Sequence, residues 1–294
     1  MINIPVCAIV VSYNPDQSLL ENIIALSSQV SEVLVIDNNS AIGCMETLLA
    51  IEKMASCKVV YNNDNMGIAA ALNIGIRHAA ANGYDWVATF DQDSLVPADF
   101  INNLFDTLAD CPFQKDVAIV APRYRDRVTG VLASYGGQCN AEGSVEVDSI
   151  ITSGNLVRIS AVKAVGGFDD ELFIDAVDHD FCLRLRKGGF RILISCNTEL
   201  FHSIGAMELH QLFGRQYKVS NHSQLRRYYN ARNRLTIYKR YLSTFPEWVR
   251  RDFLNWLREI AGIVLFEKNA VSKLAAMGKG VFHGLLGRLG KIKE

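Results

Sequence analysis

Asp91 and Asp93 stand two positions apart, where the apolar run Trp86-Val87-Ala88-Thr89-Phe90 stops. Residues i and i+2 of an extended chain point to the same side, so the two carboxylates converge at the C-terminal end of a strand. In open α/β sheets that end is where ligands bind. Two close carboxylates repel each other, and a divalent cation relieves the repulsion. Mg2+ or Mn2+ suits one or two carboxylates completed by phosphate oxygens. Asp and Ser are also ordinary turn residues after a strand, so the pair gains weight only from its surroundings. A second acidic group, Asp175, Asp178 and Asp180, opens a predicted helix that ends at Gly188-Gly189. Asp is a favoured N-cap and suits the helix dipole, but one carboxylate is enough for a cap. In a regular helix beginning at Asp178, Asp180 lies roughly 200° around the axis. The two therefore cannot face one hydroxyl, and Asp180 is left to hold nearby backbone or Arg184 four residues on. Asp175 precedes the helix, on the loop that enters it.

The elements that must carry these residues follow a repeating pattern. Val6–Val11 is apolar at every position, as in a strand buried on both faces. Ser12-Tyr13-Asn14-Pro15 closes it, and Leu19 to Leu26 has helical spacing. Val33–Ile36 is the next strand, ending in Asp37-Asn38-Asn39-Ser40; Met45–Met54 is helical, and Val59–Tyr61 is a third strand. Asn62 to Gly67 and a helix over Ile68–Ala81 follow, then the strand of the two aspartates and a helix over Pro97–Leu108. Strand, polar turn and helix in alternation predict a doubly wound, mostly parallel sheet with its polar turns gathered on one edge. At that edge Asp37 is either a turn residue or an acceptor for a nucleotide's base or ribose, and Tyr13 either stacks on a base or belongs to the core. Gly75, inside a helix, calls for close packing or a nearby ligand, because Gly there costs about 1 kcal/mol relative to Ala. No Gly-x-Gly-x-x-Gly follows the first strand, which argues against a nicotinamide-binding enzyme.

Further strands are predicted at Val117–Val120 and Phe190–Ile194, and residues 123–147 are expected to form a hairpin or a loop over the site. Ile150–Val157 reads as a strand broken at Thr152-Ser153-Gly154-Asn155, a turn or a hydroxyl-binding run. His202 follows the last strand and is a structural histidine or a ligand. From Met207 onward the chain is predicted to be helical. Arg226, Arg227, Arg232 and Arg234 offer guanidinium forks for a diphosphate or a solvated face. In the tail, Lys273, Lys279, Arg288, Lys291 and Lys293 mingle with Phe282, Leu285, Leu286 and Leu289. That mixture suits an anionic membrane surface, helix packing or a homodimer contact.

Composition sets the outer bounds. With 294 residues, 49 % of them hydrophobic, the chain can bury one large core and an appendage. A net charge of −1 speaks against a protein that is basic overall. The seven cysteines are odd in number and scattered, with no Cys-x-x-Cys, a pattern that fits free buried thiols in a reducing cytosol. No apolar run reaches the roughly 18 residues of a membrane span, and the N-terminal apolar run reads as a strand rather than a signal peptide.

Several stretches, in order, resemble family-2 glycosyltransferases of the GT-A fold. They are Val10-Val11-Ser12-Tyr13-Asn14-Pro15, Ile36-Asp37-Asn38-Asn39-Ser40, Asn65-Met66-Gly67-Ile68-Ala69, Phe90-Asp91-Gln92-Asp93-Ser94, Ser153-Gly154-Asn155, Gly166-Gly167-Phe168-Asp169 and Leu172 through Gly189. They cover about the first two-thirds of the chain. Phe173-Ile174-Asp175 with Val177-Asp178 most resembles the bacterial rhamnosyltransferases of O-antigen and related cell-surface polysaccharides; many relatives have Glu-Asp where this chain has Val177-Asp178.

The resemblance implies a GT-A domain over residues 1–205 and a C-terminal helical region over 206–294. It implies inverting transfer of a sugar, L-rhamnose from dTDP-L-rhamnose, to a hydroxyl of a lipid-linked saccharide at the inner face of the cytoplasmic membrane. Asp178 matches the catalytic base. The nucleotide falls to Ser12, Tyr13, Asn14, Asp37, Asn65, Gly67, Asp91, Gln92 and Arg232; Mg2+ or Mn2+ to Asp91, Asp93 and His202; the sugar or acceptor to Gly154, Asn155 and Asp175. A sugar-nucleotide nucleotidyltransferase is the first rival, but it needs a glycine- and basic-rich triphosphate loop where Ser12-Tyr13-Asn14-Pro15 stands. The second is a non-catalytic saccharide-binding or scaffold protein, against which the joint presence of Asp91, Asp93 and Asp178 argues.

Overall fold

The computed structural model describes residues 4–127, 130–133, 139–202, 208–212 and 215–292. Four parallel strands form its first half: β1 (Val6–Ser12), β2 (Glu32–Asp37), β3 (Cys57–Tyr61) and β4 (Trp86–Asp91). Helices α1 (Ser18–Ser27), α2 (Met45–Glu52) and α3 (Gly67–Ala81) connect them. Val6 to Val10 and Val33 to Ile36 are buried throughout, as a strand covered on both faces requires. Gly75 of α3 is explained by packing: a Cβ there would overlap the Ile9 side chain on β1.

The sheet continues with β5 (Val117–Asp126), β6 (Ser144–Glu146), β7 (Asn155–Arg158) and β8 (Arg191–His202), in the order β3-β2-β1-β4-β7-β5-β8-β6. The chain thus steps from β1 to β2 and β3 on one side and returns to β4 on the other. The C-terminal ends of β1 and β4, paired through Val11 and Asp91, part at that reversal and leave a crevice where ligands of such sheets bind. β7 runs antiparallel to β4, pairing Asn155 with Thr89, so the turn preceding it, residues 152–154, lies at the same edge.

Beyond the sheet edge, α4 (Phe100–Asp110) starts later than the proline suggests, because Asp99 takes a left-handed conformation, φ 57°. Helices α5 (Ile159–Val165) and α6 (Val177–Lys187) follow. The C-terminal region opens with an antiparallel strand pair, β9 (Glu208–Leu212) and β10 (Arg215–Val219), before α7 (Gln224–Tyr241), α8 (Pro246–Phe266) and α9 (Ala270–Leu285). Ile237, Tyr241, Trp248 and Val249 join the main hydrophobic core, while Ala231, Trp256, Ile263 and Met277 form a smaller one between the helices. A charged network ties the helices together. Buried Arg227 binds Glu259 and Glu267, Lys273 donates to Glu267 at 2.6 Å, and Arg234 donates to Glu259 at 2.6 Å.

The expectation of seven free thiols is corrected: Cys139 and Cys196 form a disulfide. They lie 57 residues apart, and only the antiparallel pairing of β6 with β8 brings them together. Cys7, Cys57, Cys111 and Cys182 are free and buried, and Cys44 is free and partly exposed.

Candidate active site

A cleft of about 770 Å3 opens at the crevice between β1 and β4 and is closed on its far side by α6, α7 and α8. One wall is built from strand ends. The end of β4 and the turn after it deliver Asp91, Gln92 and Asp93, the residue after β1 is Tyr13, and the turn after β2 delivers Asn38. Tyr13 is 49 % exposed, a ring free for a ligand to cover, while its backbone N donates to Gln92 Oε1 at 2.8 Å. The Ser153 hydroxyl accepts from Asp91 N at 3.1 Å. Asn65 Oδ1 accepts from Gly67 N at 3.0 Å, so the turn into α3 borders the cleft. Gly67 has φ +84°, and a Cβ there would overlap the Phe173 carbonyl.

The opposite wall is the segment 173–179. Asp178, in the first turn of α6, lines the cleft and accepts from His179 N at 2.8 Å. Asp180 points the other way: fully buried, it accepts from Arg184 Nε at 2.7 Å, Arg240 Nη1 at 2.9 Å and the Tyr241 hydroxyl at 2.9 Å. Asp175 borders the cleft, with Oδ1 taking Arg226 Nε at 3.2 Å. Burial raises the Asp175 carboxyl above its ordinary pKa against the pull of Arg226.

The other expected residues fall into two groups. Ser12 is buried beneath the cleft floor, and Asp37 is buried with its carboxylate capping the turn through Ser40 N at 2.9 Å. Asn14 joins the loops after β1 and β2: its backbone N donates to Ser40 Oγ and its side-chain Oδ1 accepts from Ala41 N, both at 2.8 Å. Gly154, φ +76°, would bring a Cβ within 2.8 Å of Leu200, and Asn155 is buried against Tyr124 and Ile151. Thr152 and Ile151, not Gly154 and Asn155, border the cleft. Arg232 is buried behind the wall and spends its donors on Leu172 O, Gly290 O and Asn233. His202 ends β8, and its side chain lies outside the described residues.

In place of Arg232, the stripe Arg226, Asn230, Arg234 faces the cleft from α7, with Glu259 from α8. Their i, i+4, i+8 spacing marks one helix face and was the available signal. Burial would raise the Glu259 carboxyl, but Arg234 and Arg227 pull it below its ordinary value. His222 and His179 also line the cleft. Burial, reinforced by Arg226 and Arg227, holds His222 neutral with a pKa of about 4. Burial pushes the thiols of Cys7 and Cys182 up to about 12, which disfavours their thiolates. A second cleft, of about 740 Å3, lies on the other side of α6; its Asp180, Arg184 and Arg240 are spent on one another.

Among the described residues no cluster of three or more His, Cys, Asp or Glu side chains is set to hold a metal ion. Asp91 and Asp93 both border the cleft, and a carboxylate pair completed by phosphate and water is a set that could hold a divalent cation.

Solved structures share this fold. S. aureus TarS 1–349 in complex with UDP-GlcNAc aligns with TM-score 0.63 and 14 % identity over 96 % of this chain and 81 % of that one. The mannosyltransferase PcManGT from Pyrobaculum calidifontis, in complex with GDP-Man and Mn2+, aligns with TM-score 0.62 and 15 % identity over 96 % and 87 %. Residues 7–136 match Glycosyl transferase family 2. The dTDP-rhamnosyl transferase RfbF of Shigella flexneri is 32 % identical over 250 residues, 79 % of either chain. The galactofuranosyltransferase GlfT1 of Mycolicibacterium smegmatis is 25 % identical over 290 residues, 88 % of this chain and 92 % of that one. The chain belongs to glycosyltransferase family 2.

Proposed function

We propose that this glycosyltransferase is an inverting, metal-dependent rhamnosyltransferase that moves L-rhamnose from dTDP-L-rhamnose to a hydroxyl of a lipid-linked saccharide, in the assembly of an O-antigen or related polysaccharide. The observation that carries the reading is that Asp178, distant in sequence from Asp91 and Asp93, borders the same cleft as they do. The similarity to RfbF supports the choice of donor. Tyr13 offers its ring to the base, and Asn65 and Gly67 border the nucleotide. Asp91 and Asp93 would hold Mg2+ or Mn2+, which when bound offsets charge on the leaving diphosphate. Asp178 takes the acceptor's proton as its oxygen attacks the anomeric carbon from the side opposite the diphosphate. A β-linked donor then yields an α-rhamnoside. Asp175 and Arg226 meet the acceptor or the transferred sugar. Turnover of dTDP-L-rhamnose against UDP- and GDP-sugars, with Mn2+ and with EDTA, tests the reading. Asp93→Ala is expected to lose both transfer and metal-dependent nucleotide binding; full activity in EDTA, or in that variant, refutes the metal's role.

The acceptor's lipid places the enzyme peripherally on the inner face of the cytoplasmic membrane. No helix among the described residues is long and apolar enough to cross a membrane. Two of the tail's basic residues are used internally, Lys273 by Glu267 and Lys291 by Asp64. The outward faces of α8 and α9 nevertheless expose Leu254, Leu257, Val264, Phe282, Leu285 and Leu286, with Arg250, Arg258, Lys279 and Arg288 also exposed. Anionic vesicles should sediment the protein and fail to sediment Phe282→Glu/Leu286→Glu. Equal, negligible sedimentation with a dimeric mass would give this face to a second copy instead.

A further inference from the structure

The wall that carries Asp175 and Asp178 has a backbone no local preference favours. Phe173, Asp175 and Ala176 have φ values of 63°, 64° and 58°, positions that cost a side-chain-bearing residue strain. Phe173, with ψ −67°, centres a tight turn in which Ile174 N donates to Leu172 O at 2.7 Å, the rare and strained hand of the γ-turn. Ala176 immediately precedes α6, so its left-handed conformation sets the direction in which the helix and Asp178 depart. Such conformations persist only where the surroundings over-determine them, and they gather at functional sites.

One side chain spans the segment. Asn233 is fully buried in α7, and its Nδ2 lies 2.8 Å from each of the carbonyl oxygens of Leu172, Ile174 and Asp175. Its Oδ1 accepts from Arg232 Nε at 2.8 Å, which orients the amide with its N–H groups toward the loop. From the other side, Ile68 N donates to Phe173 O at 2.8 Å, and the Phe173 ring stacks on Tyr229 with centroids 5.1 Å apart. Asn233 itself does not line the cleft.

We propose that Asn233 is a positioning residue: its amide locks residues 172–175 in the strained form and thereby aims Asp175 and Asp178 at the reacting groups. The inference rests on the reading of Asp178 as the base. It differs from a purely structural role in what it predicts for the chemical step. A base displaced by about 1 Å loses on the order of 10²-fold in rate while the donor, held by the other wall, binds as before.

The test combines kinetics with hydrogen exchange on the intact protein. In folded Asn233→Ala, kcat should fall by about 10²-fold with donor KM changed less than about threefold. Adding Ala176→Gly should recover at least about tenfold of that loss, since glycine takes a positive φ without the Cβ penalty. Backbone amides of residues 174–178 should exchange at least about tenfold faster in Asn233→Ala, with those of β1 and β4 unchanged. Should Asn233→Ala not fold, Asn233→Ser, which keeps one donor, takes its place. A folded variant with kcat within about threefold of wild type, or with kcat and donor affinity falling together, overturns the proposal. So does unchanged exchange at 174–178, a double variant that recovers nothing, or failure of both variants to fold, which would make Asn233 a folding determinant. The exchange result is independent of the reaction: if wild type turns over no nucleotide sugar, the functional reading fails while the clamp is still judged by exchange.

Discussion

On one wall of the cleft, Asp91 ends β4, between β1 and β7, and Asp93 stands in the short turn that follows. On the other, Asp175 and Asp178 are placed by a loop in left-handed conformations, held from α7 more than fifty residues away in sequence. The first wall needs only a sheet; the second needs the sheet, α7 and the turn at Gly67 all in place. Strand-end positioning should therefore tolerate changes elsewhere, whereas the loop wall should respond to substitutions that touch neither donor nor acceptor.

The largest expected effect separates the two faces of α6. Asp178→Asn should lower kcat by about 10²–10⁴-fold with donor binding nearly intact. Asp180→Asn, which weakens the buried pairing with Arg184 and Arg240, should lower the melting temperature and leave the chemical step within a few fold. If Asp178→Asn turns over normally and Asp180→Asn or Asp175→Asn is the inactive variant, the base is misassigned. Where the walls meet, Gly67→Ala places a Cβ against the Phe173 carbonyl at φ +84°. Strain of this kind costs about 1–3 kcal/mol, and it should raise donor KM and lower kcat together, because the turn at 65–67 belongs to one wall and the loop to the other. A change in stability alone would show that the walls are not coupled there.

The smallest effect concerns pH. His222 has its folded-state pKa depressed to about 4 from an ordinary 6.5. Between those values the unfolded chain takes up a proton that the folded one refuses, so stability is lost as pH falls from about 6.5 to about 4. His222→Gln should flatten the fall in melting temperature over that window and leave the value at neutral pH nearly unchanged. Identical slopes for the two proteins would remove His222 from the account.

How far these walls are legible in the sequence differs in the same way. The apolar strand that ends in Asp91, the polar turns on one sheet edge and the opposite facing of Asp178 and Asp180 all follow from periods of 2 and 3.6 residues, and the structure has them; Asp93 lies beyond β4, where Ser94 N donates to Asp91 O at 3.3 Å, so a turn rather than the two-residue period brings it to the cleft. Among the arginines of α7, by contrast, Arg232 faces Leu172 and Gly290 while Arg226 and Arg234 reach the cleft. Which face of a helix turns inward is settled by what packs against it. Likewise Leu200 and Pro122 press on Gly154 and leave no room for a Cβ, a contact no local pattern announces.

By itself, then, the sequence determined the alternation of strand and helix, the edge at which the site lies and the acidic residues available there, because each depends on neighbours within a few positions. Only the tertiary structure decided that Cys139 meets Cys196, that Glu259 joins the cleft, and that Asn233 reaches three carbonyls of the loop before α6. Those contacts join residues tens of positions apart, and left-handed backbone at Phe173, Asp175 and Ala176 is a state that local preference opposes and only the assembled fold can hold.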